Sequence, residues 1–257
     1  MSTIKRLTRY EYNNIKHLFK DTPFGWDVIF NASLDYGFIL ADDADKPNVA
    51  LSFMGGCIIY GGDENHALAR ALIRSMEVQP AILSYPENWA ALILDEFKGK
   101  AKYETRYHLP FASLDKERLF SIDLSTNDGY RVEKISEKLA ERLKDDIGEE
   151  YQLYHYSSLK DFADKGCGFC ITKGNEILSA AAAFLRSGNK VQIQVNTKQQ
   201  YRQKGLATKT SASMLRYCLE NGITADWDAA NTYSRDLAYK LGYTECISYD
   251  VISVFPE

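Results

Sequence analysis

Six consecutive residues carry the densest chemistry in this chain of 257: Arg202-Gln203-Lys204-Gly205-Leu206-Ala207. They follow a segment, 190–197, in which Val191, Ile193 and Val195 alternate with Gln192, Gln194 and Asn196, the pattern of a half-polar strand. They precede a run, 205–219, that reads as a helix and is closed by Asn221-Gly222. A helix N-terminus leaves several backbone N–H groups unpaired and carries partial positive charge. A glycine there lets an anion approach the backbone with no Cβ in the way. Strand, basic loop, glycine and helix in that order make a phosphate cradle. Charge agrees with this reading. Residues 177–219 hold no Asp or Glu but seven bases: Arg186, Lys190, Lys198, Arg202, Lys204, Lys209 and Arg216. The whole chain has 31 Lys and Arg against 35 Asp and Glu, a net charge of −4, so this is a local concentration. It points to a small polyanion such as a pyrophosphate. On charge alone, a solvated basic helix remains the alternative.

Other reactive residue types are scattered. Five cysteines, Cys57, Cys167, Cys170, Cys218 and Cys246, are too few and too odd in number for a disulfide scaffold. Cys167-Gly168-Phe169-Cys170 has no second pair and no histidine at ligand spacing, so packing accounts for it better than zinc. His17, His66, His108 and His155 stand singly, and no metal site is expected. His155 lies in a tyrosine-rich segment, 151–156, that reads as an amphipathic surface, with an acceptor pocket as the other reading.

The elements that must position the loop follow from periodicity and turn residues. After the loop come a strand at 223–229, a helix at 234–241 stopped by Gly242, and one or two strands at 243–255. Before it, strands at 168–173, 177–186 and 190–197 are separated by turns at Lys173-Gly174-Asn175-Glu176 and Ser187-Gly188-Asn189. Further back, 119–124 and 130–135 read as strands, and 136–143 and 157–164 as helices. The first third reads as a loose helix at 4–19, a hairpin or bulge around Gly55-Gly56 and a helix at 65–76. A strand at 80–84, a helix after Pro86 and a strand at 103–109 complete it. The connector 110–118 divides a smaller N-terminal α/β domain, 1–115, from a second domain, 116–257.

Tyr201-Arg202-Gln203-Lys204-Gly205-Leu206-Ala207-Thr208 after a strand resembles the acetyl-CoA loop of the GCN5-related N-acetyltransferases (GNAT). A second stretch agrees. Asn231-Thr232-Tyr233-Ser234-Arg235-Asp236-Leu237-Ala238-Tyr239-Lys240-Leu241-Gly242-Tyr243 resembles that family's next helix, with Asn opening it and Lys-Leu-Gly-aromatic closing it. The resemblance covers roughly 119–257. Trp227-Asp228-Ala229-Ala230-Asn231, with Ser234 and Ala238, is similar to a bacterial branch with a long N-terminal extension that includes a zwittermicin-resistance acetyltransferase.

The resemblance implies an α/β (α+β) fold with a central mixed, mostly antiparallel sheet. That sheet would splay between the strand ending at Thr197 and the one around Trp227. It implies acetyl-CoA as co-substrate, no metal, and transfer to a primary amine of a small molecule by direct attack in a ternary complex. The amides of Gln203, Lys204, Gly205, Leu206, Ala207 and Thr208, behind Arg202, would hold the pyrophosphate. Val195 and Thr197 would bond the pantetheine arm, a backbone N–H of Val195 or Asn196 would meet the oxyanion, and Asn231 and Ser234 would touch the cofactor. One departure matters. Many members place a Tyr seven residues after that Asn, to protonate the leaving thiolate; here the position is Ala238. Tyr239 is ~100° away around the helix, and Tyr233 is a weaker substitute. Either another Tyr serves, or the thiolate leaves unprotonated or with water's help. For the general base, Asp226 and Asp228 flank Trp227 on one strand face. Asp228 is the candidate, and a backbone hydrogen bond near the helix start is its alternative role. Ala238 also motivates a non-catalytic CoA-binding module. Room beside Val195 and Trp227 would decide for a longer acyl group.

From Cys57 the order of elements repeats the one from Val191, which suggests a degenerate half-copy of the same fold, retained for packing or acceptor binding, or else an unrelated α/β extension. The acidic balance argues against nucleic acid as partner. The N-terminus has no secretory pattern and no stretch reaches ~18 apolar residues, so a cytoplasmic protein with no membrane association is expected, as monomer or homodimer.

Overall fold

A computed structural model of the chain describes residues 3–20, 22, 37–54, 56–76, 81–126, 129–148, 153 and 156–255. The chain divides into two compact units, Met1–Arg106 with Tyr249–Glu257, and Tyr107–Ser248. The division falls slightly ahead of the one expected at 115, and the returning tail goes with the first unit.

In the first unit, β1 (Lys5–Arg6), β2 (Phe38–Ala41), β3 (Val49–Met54) and β4 (Cys57–Gly62) pair antiparallel in order. Met54 pairs with Cys57 at the end of the β3–β4 ladder. The chain continues through α1 (Ala69–Arg74), β5 (Ala81–Ser84), α2 (Ala90–Glu96) and β6 (Ala101–Leu109), which runs on into the second unit. β5 lies parallel to β4, with Ile59 opposite Ser84. The core on this side centres on Trp89, stacked on Tyr60 at 5.3 Å, with Leu51, Leu72 and Ile93.

The helix expected at 4–19 does not form. Its place is taken by β1 and two 3-10 turns, Tyr12–Asn14 and Lys16–Phe19. Glu11 accepts hydrogen bonds from the Thr8 N–H at 2.6 Å and hydroxyl at 2.8 Å, a local competitor to helix. Leu7, Ile15 and Phe19 instead pack on Ile39, Ala50 and Ile59 of the sheet.

The second unit opens with α3 (Lys116–Ser121), β7 (Tyr130–Lys134), α4 (Glu137–Ile147) and α5 (Leu159–Lys165). Residues 119–124, expected as a strand, start inside α3. Asp115 caps that helix by accepting from the Arg118 N–H at 3.0 Å. Arg216 donates to the carbonyls of Leu119, Phe120 and Ile122 where it ends. The segment 151–156 lies mostly outside the described residues. β8 (Gly168–Lys173), β9 (Glu176–Ser187) and β10 (Lys190–Thr197) follow as an antiparallel meander with β7, in the order β10-β9-β8-β7. Gly174 and Gly188 take φ of 58° and 59° at the two predicted turns. α6 (Leu206–Glu220), β11 (Trp227–Ala229), α7 (Thr232–Leu241) and β12 (Ile247–Val254) complete the chain. β11 pairs antiparallel with the end of β6, and β12 carries the chain back to pair with β5.

The alanine run of β9 separates two cores. Ala181 and Ala183 face the cluster around α6, with Leu215, Cys218, Trp227 and Tyr243. Ala180 and Ala182 face the cluster under α4 and α5, with Leu143, Ile147 and Phe162. Cys167, Cys170 and Cys218 are free and buried in these cores, and burial pushes the Cys170 thiol up to about 12. Among the described residues no helix is long and apolar enough to cross a membrane, and no group of three His, Cys, Asp or Glu could hold a metal ion.

Candidate active site

β10 is the edge of its meander, and its outward side faces the start of β11. β10 meets the chain leading into β11 at a parallel bridge, Lys190 with Thr224, where Val191 donates to the Thr224 carbonyl at 2.9 Å. Beyond it β11 pairs with β6, not with β10. The strands therefore diverge where the family resemblance implies a splay. The Lys198 N–H bonds to Leu178 of β9 at 2.9 Å. Strand alternation then turns the backbone groups of Thr197 and Val195 outward, to the open edge. Thr197 already spends its pair: its N–H donates to Asn196 Oδ1 at 2.8 Å and its carbonyl accepts from Arg202 Nε at 3.1 Å. Val195, like Ile193 before it, keeps its backbone groups turned to the diverging edge.

The loop that follows is a 3-10 turn, Gln199–Tyr201, then Arg202 in extended backbone, then two left-handed residues, Gln203 at φ 61° and Gly205 at φ 76°. Gln203 is the one non-glycine with positive φ among the described residues, a conformation that costs free energy and clusters at functional sites. Gly205 is the N-cap of α6 and supplies no side chain to the first turn. The Gly205 carbonyl already accepts from the Lys209 N–H at 3.2 Å, but the amides of Leu206, Ala207 and Thr208 precede the first intrahelical bond. A Cβ built on Gly205 meets nothing within 4 Å, so the approach to these amides is open. Leu206 anchors the turn by packing on Ile171 and Leu178. Lys204 stands over the Tyr201 ring at 5.0 Å, and both Arg202 and Lys204 are exposed. The donor set suits a pyrophosphate: backbone N–H groups at a helix N-terminus, two exposed cations, and no carboxylate in the segment.

The seven bases do not act together. Lys198 pairs with Glu176 at 2.5 Å and Asp146 at 3.5 Å. Arg186 bonds to the Gly188 and Lys165 carbonyls, and Lys209 to those of Asp123 and Ser125. With Arg216 tied to α3, these bases hold the fold, and the field at the loop comes mainly from Arg202, Lys204 and the helix end.

The second motif is built around α7. Asn231 caps it, its Oδ1 accepting from the Ser234 N–H at 3.0 Å. Ser234 Oγ accepts from the Trp227 indole at 3.0 Å, which joins α7 to β11. Ala238 is fully buried in the α6 core, so nothing at that position reaches a leaving group. Tyr239 is turned to Cys246, whose hydrogen bond, with burial, raises its phenol above the ordinary range. Arg235 lies over the Tyr239 and Tyr107 rings. Tyr233 is 87% exposed. Trp227 and Ala229 face the α6 core, so Asp228 projects from the opposite face of β11. Asp226 Oδ1 accepts from the Phe111 N–H at 2.8 Å and is committed to that turn.

The family model described as GNAT acetyltransferase matches residues 16–252. The match takes in the first unit, so the likeness extends well beyond 119–257, the span the motifs indicated. Among curated proteins, "Uncharacterized N-acetyltransferase YdfB" of Bacillus subtilis (strain 168) is 24% identical over 263 residues, covering 98% of each chain. Among solved structures, a GCN5-related N-acetyltransferase-like protein from Streptococcus suis 89/1591 superposes with TM-score 0.82 at 24% identity, over 95% of this chain and 98% of that one. A tandem GNAT protein from the clavulanic acid biosynthesis pathway does so with TM-score 0.58 at 10% identity, over 99% of each chain.

Proposed function

Because the chain belongs to the GNAT acetyltransferase family, and is thereby an acyltransferase, we propose that it moves the acetyl group of acetyl-CoA to the primary amine of a small molecule by direct attack in a ternary complex. The observation that carries the reading is the open first turn of α6 behind Gln203 and Gly205, set at the end of the diverging strand β10. In this reading the amides of Gln203 to Thr208, with Arg202 and Lys204, hold the pyrophosphate. The outward Val195 backbone takes the pantetheine arm, and its N–H is also the nearest candidate for the oxyanion. Thr197 supports the loop through Arg202 instead of binding the arm. Asn231 and Ser234 act first as cap and tether of α7, and reach the cofactor only with what those bonds leave over. Asp228 is the carboxylate this reading assigns to the amine's proton, and Tyr239 is the tyrosine beside the position where a general acid is usual. The acidic chain favours a small-molecule acceptor over nucleic acid, as a cytoplasmic monomer or homodimer.

Burial of Ala238 favours a second reading, a CoA-binding module without turnover. Thermal unfolding with CoA and acetyl-CoA, beside Gly205→Glu, tests the cofactor. A ligand at 100 times its Kd stabilises by ~2.7 kcal/mol. The expected result is an upward shift in the wild type that vanishes in the variant; no shift in the wild type would sink both readings. Thiol release from acetyl-CoA with an amine panel then separates enzyme from module.

A further inference from the structure

His108, which the sequence leaves isolated, stands directly opposite Asp228 in the β6–β11 ladder. Residues opposite one another in antiparallel strands share a face, with Cβ atoms ~4.5–5.5 Å apart. Their neighbours decide which face. Leu109, Trp227 and Ala229 point into the α6 core, so His108 and Asp228 both project from the other side. The Lys190–Thr224 bridge sets β10 and β11 in parallel register, with Val191, Ile193 and Val195 also toward the α6 core. The same parity puts Gln192, Gln194 and Asn196 on the face that carries His108 and Asp228. The gap between the strands is thus apolar on its α6 side and polar on the other, where the imidazole sits. His108 is 7% exposed, and so is largely shielded from bulk water.

We propose that His108 is the proton acceptor for the incoming amine and that Asp228 is its positioning residue. This rests on the transferase reading above and deepens it: the carboxylate acts through the imidazole. A neutral imidazole near pH 7 suits the task, since the amine arrives as an ammonium and must lose a proton before it can attack. His108 takes that proton from R–NH3+. The freed lone pair forms the N–C bond to the thioester carbon while the C–S bond breaks, its electron pair going to sulfur. The second N–H proton neutralises the thiolate, and the imidazolium returns its own to solvent. Asp228 fixes the ring tautomer and stabilises the imidazolium. The other charged groups on these strands are Lys102, Glu104 and Arg106, which precede His108 along β6, and Lys190 at the bridge; Asp226, just ahead of β11, is held by the Phe111 N–H.

The test follows acetyl-CoA turnover with ethanolamine, glucosamine and spermidine as acceptors, alongside acetyl-CoA binding. His108→Gln is expected to lower kcat at least ~100-fold, within the usual range for general base catalysis, and to leave the acetyl-CoA Kd within about threefold. Imidazole added to His108→Ala restores part of the lost rate. Asp228→Asn lowers kcat with KM for the amine unchanged. A His108→Gln rate within about threefold of wild type overturns the assignment. A wild type that binds acetyl-CoA but acetylates none of the three amines removes the reading beneath the inference, and the inference falls with it. A wild type that does not bind acetyl-CoA fails earlier, at the cofactor. Should His108→Gln not fold, proton NMR of the wild type and Asp228→Asn decides the pairing. The His108 imidazole is expected to titrate lower without its carboxylate, and an unchanged midpoint overturns it.

Discussion

At the scale of single residues, Gly205 is held by its dihedral and not by crowding. A Cβ there would meet nothing within 4 Å, but φ of 76° is a conformation that side chains adopt reluctantly. Gly205→Ala is therefore expected to cost about 1 kcal/mol of stability, read from denaturant unfolding, while keeping most of its affinity for CoA. Gly205→Glu adds a carboxylate before the helix end and is expected to abolish binding. Tyr239 gives a contrasting prediction. Its hydroxyl is engaged by Cys246 and its ring by Arg235, so Tyr239→Phe should change kcat by less than about threefold in the amine assay. A loss of tenfold or more would return the general acid to this helix.

At the scale of elements, α7 begins where Asn231 caps it and is fastened to β11 through Ser234 and Trp227. Asn231→Ala should destabilise the second unit by ~1 kcal/mol through the lost cap, measured as a lower urea midpoint at unchanged m-value. This scale is also where reading from residues succeeds and stops. The meander β8–β10, its two glycine turns and the loop are legible because each is encoded within a few neighbouring residues, whereas the splay follows only from the family resemblance. Residues 119–124 read as a strand because the partner that ends α3, Arg216, lies far along the chain. His108 stands singly in the sequence for the same reason: its pairing with Asp228 is a register between strands distant in sequence, and no local spacing records it. The seven bases look like one field in sequence, and only the fold sorts them into loop and scaffold.

At the scale of the whole molecule, acid stability sums carboxylates whose native environment favours their charged form. Asp42, where β2 meets β3, is one. Burial pushes it up, but hydrogen bonds from the Asn48 side chain and backbone and from the Val49 N–H outweigh that, and it ends below its ordinary value. A carboxyl with a depressed folded pKa stabilises above its unfolded value, ~3.9, and that contribution is lost as pH falls toward the folded one. Asp42→Asn should thus be less stable than wild type at pH 7, with the difference shrinking below about pH 4. A gap that stays constant down to pH 3 would show that Asp42 contributes through shape alone.

The alanines of β9 have a further consequence. Because alternate methyl groups touch opposite layers, the strand works as a spacer with two independent dials. A larger side chain at Ala180 or Ala182 presses on the α4 layer, and one at Ala181 or Ala183 presses on the layer of α6. The seating of α6 and that of the α4 layer thus each answer to their own pair of methyl groups.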